Sequence, residues 1–95
     1  MLERYYQKYL VKKLKVTFQG CIVIKNDAQL KQGIPDLLVL FNDKWVALEV
    51  KKSKTASHRP NQDLHVKRMN EMSYASFIFP ENEEQIFKEL EEVFA

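Results

Sequence analysis

Helical spacing opens and closes this chain, and between its two ends lie short runs that are apolar on both faces. From residue 2 to about residue 16, at 100° per residue, Leu2, Tyr5, Tyr6, Tyr9, Leu10 and Leu14 share one half of the wheel, while Arg4, Lys8, Lys12 and Lys15 cluster on the other. Lys13 is the exception to that division. Glu3 falls beside Leu10 and Leu14, so a carboxylate is aimed inward. After Gly20, "CIVIK" reads as a short β-branched strand, and residues 26–35 read as a loop ending in Gly33 and Pro35. Residues 36–41 and 44–51 predict two strands covered on both sides. Asn42 and Asp43 between them suit a tight two-residue turn.

Residues 52–61, "KSKTASHRPN", form a basic polar loop in which Pro60 is placed to begin a helix. Over residues 62–72, Val66, Met69 and Met72 share an arc with Gln62 and His65, opposite Lys67, Arg68 and Glu71, with Leu64 exposed among them. "YASFIF" predicts a strand ended by Pro80. Ile86, Phe87, Leu90, Val93 and Phe94 then form the inner stripe of a last amphipathic helix. The predicted order is αβββαβα: an α/β fold, one domain over residues 1–95, with a central sheet of about four strands flanked by helices.

Charge changes the picture through its distribution. The total is +2, but residues 81–95 carry six Glu and one Lys, net −5, which leaves +7 on the rest. A body that basic fits a polyanionic partner, with the acidic final helix turned away from it. The lone Cys21 excludes an intramolecular disulfide and favours an intracellular, cytoplasmic location. No apolar run approaches the roughly 18 residues of a membrane span, and no signal-peptide core opens the chain, so no membrane partner is expected.

Against this background three charges stand out in the two central strands. If Asn42 and Asp43 make the turn, Phe41 meets Lys44, Leu38 meets Ala47, and Asp36 meets Glu49 on one face of the sheet. Lys51, two residues beyond Glu49, projects on the same face. Two facing carboxylates repel, so something must offset them. A divalent cation does this, since hard oxygens suit Mg²⁺ or Mn²⁺. A structural ion triad with Lys51 is the chemically inert alternative.

At these residues the chain resembles the PD-(D/E)XK nuclease superfamily, and more narrowly the virus-type replication-repair nuclease domain. Gly33-Ile34-Pro35-Asp36 matches the family's "GIPD", Glu49-Val50-Lys51 its "ExK", Gln62 the glutamine that opens the next helix, and Glu3 the acidic residue of the first helix. Ser73 stands where the family often has a glycine. The resemblance implies a restriction-endonuclease-like core and Mg²⁺- or Mn²⁺-dependent cleavage of DNA. In it Asp36, Glu49 and the Val50 carbonyl hold the cation, Lys51 positions the attacking water, and Glu3 and Gln62 support them. Stand-alone relatives encoded by bacteriophages act as symmetric dimers on branched DNA, especially four-way junctions. That implies a homodimeric Holliday-junction resolvase, with the N-terminal aromatic helix as one possible subunit contact. A nicking or flap nuclease, or a catalytically silent DNA-binding module, are the alternatives.

Lys52, Lys54, His58, Arg59, Lys67 and Arg68 follow or flank the expected site and are candidate DNA-phosphate contacts. His65 shares the inward face with Gln62. Neither histidine has Cys/His spacing suited to zinc.

Overall fold

The computed structural model describes residues 1–27 and 33–95, and its elements follow the predicted order. They are α1 (Glu3–Thr17), β1 (Ile22–Lys25), β2 (Leu37–Phe41), β3 (Lys44–Val50), α2 (Gln62–Met72), β4 (Tyr74–Ile78) and α3 (Glu83–Phe94). The middle of the loop expected over 26–35 lies outside the described residues. The fold is α/β, with a mixed four-stranded sheet ordered β1-β2-β3-β4. β1–β2 and β2–β3 are antiparallel hairpin neighbours. β3 and β4 are parallel, which requires a crossover, and α2 supplies it.

The β2–β3 register is the expected one: Leu38 pairs with Ala47 and Phe41 with Lys44. Asn42 takes φ 58° at the turn, a left-handed conformation that asparagine tolerates better than most residues. Five consecutive β3 residues, 46–50, are buried because helices cover both faces of this strand. On one face Leu37, Val39, Val46, Leu48 and Val50 pack with Leu10 and Leu14 of α1 and Ile86, Phe87, Leu90 and Phe94 of α3. Full burial is worth about 1.5–3 kcal/mol for each large aliphatic side chain, so this layer is the main source of stability. On the other face the cross-strand pair Ala47 and Ala75 is small enough for α2 to approach and seat Val66.

Three details depart from the sequence pattern. In α1 only Tyr6, Leu10 and Leu14 are buried; Tyr5 and Tyr9 are 58% and 49% exposed, and Leu2, just ahead of the helix, is 52% exposed. The covering layer takes a narrow arc centred on Leu10 rather than half the wheel. Lys13 lies at the margin of that arc, where its ammonium pairs with Glu83 at 2.5 Å and sits 4.4 Å over the Phe87 ring. Second, α2 begins at Gln62 behind Asn61 (φ 71°), so Pro60 precedes the helix instead of starting it. Proline's fixed negative φ rules it out of that left-handed cap. Third, Met72 is exposed, because α2 ends there and the β4 ladder with β3 begins only at Tyr74. Among the described residues no helix is long and apolar enough to cross a membrane.

Candidate active site

Continuing the Leu37–Leu48 pairing by one residue sets Asp36 opposite Glu49, on the α2 face of the sheet. Asp36 itself stands just outside β2. Its carbonyl accepts from Asn26 N at 2.8 Å, and its Oδ2 accepts from Val50 N at 2.9 Å. The carboxylate therefore reaches across the hairpin into the Glu49-Val50-Lys51 segment. Asn26 Nδ2 also donates to the Pro35 carbonyl at 2.6 Å, which ties down the approach to Asp36. Gly33 opens that approach with φ 88°, and a Cβ there would stand 3.0 Å from both Asn61 Cβ and His65 Cδ2. Only glycine lets this loop lie so close to the start of α2.

Glu49, Lys51 and Gln62 are buried, at 2%, 4% and 7% exposure, between the sheet and α2. Gln62 links the other two. Its Nε2 donates to Glu49 Oε2 at 2.9 Å, and its Oε1 accepts from Lys51 Nζ at 2.8 Å and from Arg59 N at 2.8 Å. Lys51 Nζ also donates to the Ser57 carbonyl at 3.1 Å and lies 3.9 Å from Glu49 Oε2. Glu49 Oε1 is buried without a hydrogen-bond partner among the described residues. Burial, then the charge of Asp36, pushes the Glu49 carboxyl up to about 8. Burial also raises Asp36, against the Val50 N–H bond that favours its ionised form.

Glu3 arrives from α1, where its Oε2 accepts from Lys52 N at 3.0 Å, one residue past Lys51. It lies between two open cavities. One, of about 200 Å³, is lined by Glu3, Arg4, Gln7 and Asp36. The other, of about 330 Å³, is lined by Leu2, Glu3, Lys51, Lys52, Ala56, Ser57 and Arg59. Five sequence-predicted residues, Glu3, Asp36, Glu49, Lys51 and Gln62, thus meet at one end of the sheet, with Lys52 and Arg59 at their rim.

The other candidates are placed differently. Lys54 N is held by both Glu81 oxygens at 3.2 Å, which fixes the basic loop to the turn after β4. His58 stacks on Phe77 at 4.2 Å between ring centroids, and its Nδ1 is 3.0 Å from Asp63 Oδ1, so the ring anchors the loop. His65 rests against Gly33. Lys67 and Arg68 are exposed on α2. Sequence reasoning missed Ser57, which serves through its carbonyl and so leaves no residue-type signal. It also missed Arg4 and Gln7, whose place beside Asp36 depends on how α1 crosses the sheet.

Among the described residues no group of three or more His, Cys, Asp or Glu side chains is placed to hold a metal ion. Two facing carboxylates, one with an unpartnered buried oxygen, nevertheless fit Mg²⁺, which typically takes one or two protein carboxylates and keeps waters and phosphate oxygens for its remaining positions. No family model matches the chain, and neither does any curated protein or solved structure.

Proposed function

We propose that this protein is a metal-dependent endonuclease that hydrolyses DNA phosphodiester bonds. The observation that carries the reading is the Glu49 carboxyl: nearly inaccessible, with Oε1 accepting from no donor among the described residues, on the sheet face it shares with Asp36. Burying a charge costs several kcal/mol unless it is compensated, and an apolar residue at this central-strand position would stabilise the fold more. A cation seat gives the carboxylates a use that accounts for that cost.

In this reading Asp36, Glu49 and the Val50 carbonyl hold Mg²⁺ or Mn²⁺. When bound, the cation polarises the scissile phosphate and lowers the pKa of a water. Lys51 has three N–H donors, of which Gln62 and Ser57 take two, leaving one to orient the attacking water or to meet charge on the phosphate. Its role is positioning, since its direction is fixed from two sides. Glu3 supports the turn after Lys51, and Lys52 and Arg59 supply cations for backbone phosphate beside the site. The restriction-endonuclease-like assignment rests on the sequence resemblance, as do branched DNA as substrate, a homodimer and an intracellular place of action. The exposed Leu2, just ahead of α1, and Tyr5 on it offer apolar surface for a subunit contact.

The test is cleavage of labelled four-way junction, flap, duplex and single-stranded DNA with Mg²⁺ or Mn²⁺, beside a sizing measurement. Symmetric junction cutting by a dimer is expected. Preference for flaps or simple nicking selects the narrower nuclease reading, and tight binding without cleavage selects a silent DNA-binding module.

A further inference from the structure

α1 carries a second cationic feature, separate from the basic loop. Arg4, Lys8, Lys12 and Lys15 are all exposed, and at 100° per residue they fall within an arc of about 80°. None of them forms an ion pair among the described residues, whereas Lys13, about 100° round the helix from the edge of that arc, is paired with Glu83. Glu3 is the one acidic residue between positions 1 and 25. Like charges spaced four apart weaken a helix, and ordinary surfaces intersperse both signs. The stripe is therefore locally unfavourable unless an anion meets it.

Its position says which anion. Arg4 lines one cavity with Asp36, so the stripe starts beside one of the two carboxylates that would hold the cation in the proposed function. From there it runs about 16 Å along the helix axis at 1.5 Å per residue. A DNA strand carries one phosphate per about 3.4 Å of helix axis, so the stripe matches about five successive phosphates. Lys52 and Arg59 line the other cavity, which shares Glu3 with the first. Two groups of cations thus border the site, through cavities that share Glu3.

We propose that Arg4, Lys8, Lys12 and Lys15 form a track for the phosphate backbone of the duplex flank on one side of the scissile bond. This rests on the site acting on DNA. It adds a partner surface that the basic loop does not provide, and it leaves base sequence unread, because it contacts phosphate alone.

The experiment is fluorescence anisotropy of a labelled duplex longer than the stripe, without divalent metal, over a salt series, with Lys8→Gln/Lys12→Gln/Lys15→Gln compared with the unaltered chain. Thermal melting checks that the variant is folded, as exposed positions allow. Each lost phosphate contact removes about 0.9 from the slope of log K against log salt, so the triple variant should lose about 2 to 3 and bind at least about ten-fold more weakly at physiological salt. Lys44→Gln/Lys88→Gln, which removes charge from the β2–β3 turn and α3, should leave the slope in place. A triple variant with the original slope, or with no more loss per charge than this control, overturns the track. So does binding of phosphatidylglycerol vesicles that the triple variant loses while its DNA slope is unchanged, which would assign the stripe to a membrane surface. Cleavage assays run alongside separate the two readings. DNA cut by the unaltered chain with no slope change in the triple variant removes the track alone. A slope change with no cutting removes the nuclease and keeps the track.

Discussion

Lys51 Nζ and Glu49 Oε2 stand 3.9 Å apart, beyond hydrogen-bond reach, and the Gln62 amide joins them by donating to one and accepting from the other. An amide is suited to this because it carries donor and acceptor on one rigid group. Gln62→Ala leaves a buried ammonium and a buried carboxyl each short of a partner. The expected loss is about 1–3 kcal/mol of stability by urea denaturation. Cleavage should fall about 10–100-fold, since the groups that orient the cation and water lose their support.

Glu49→Gln separates stability from activity. The Glu49 carboxyl is pushed up to about 8 by burial first and by Asp36 second. Between the unfolded value of about 4.3 and that point, the folded state holds a proton that the unfolded state has lost, so stability falls as pH rises, by up to about 1.4 kcal/mol per pH unit. Asp36, also raised, adds to the fall in the same direction. Thermal melts at pH 6 and pH 8.5 should therefore show a decline in the metal-free protein that Glu49→Gln reduces. Mg²⁺ should raise the melting temperature of the unaltered chain at the higher pH, because the cation needs the ionised carboxylate. It should not raise that of the variant.

The local pattern made the hairpin legible. Asn42 and Asp43 set the turn, the turn set the register, and the register brought Asp36 to Glu49 with no knowledge of the rest of the fold. Gln62 was found through its arc on α2. What escaped were interactions between distant parts of the chain. Glu83 accepts from the Tyr6 and Tyr9 hydroxyls at 2.8 and 2.9 Å, yet more than seventy residues separate these partners and no spacing rule connects them. The same limit hid the His58–Phe77 stack, and it assigned Tyr5 and Tyr9 to an apolar face that the sheet does not cover.

Gly33 is a test of how the Asp36 loop is held. At φ 88°, with Asn61 and His65 at 3.0 Å from any added Cβ, Gly33→Ala is strained in its backbone and crowded at its side chain. The left-handed conformation alone costs about 1–2 kcal/mol. Calorimetric titration with Mn²⁺ should show weakened binding as the loop moves away from α2 and takes Asp36 with it. Unaltered Mn²⁺ affinity in a folded Gly33→Ala protein would detach this loop from the metal site.

Glu83 carries the opposite pH signature, far from the chemistry. Burial alone would raise its carboxyl, but hydrogen bonds from Lys13, Tyr6 and Tyr9 outweigh burial and hold it below the usual carboxylate range. Its stabilising effect is complete above the unfolded value of about 4.3 and is lost as pH falls through the lower folded value. Glu83→Gln should cost about 1–3 kcal/mol at pH 7 by urea denaturation, and less below pH 4. DNA cleavage by the folded variant should be unaffected, because these groups tie α1 to α3 and do not line the site.

The most direct test of the metal-dependent nuclease is the rate of DNA cleavage against Mg²⁺ concentration for the unaltered chain and for Glu49→Gln, on the same branched substrate and with DNA binding measured in parallel. Saturable Mg²⁺-dependent cutting is expected, which Glu49→Gln abolishes while binding persists. Cutting that needs no divalent cation, or that survives in Glu49→Gln at an unchanged rate, would contradict it.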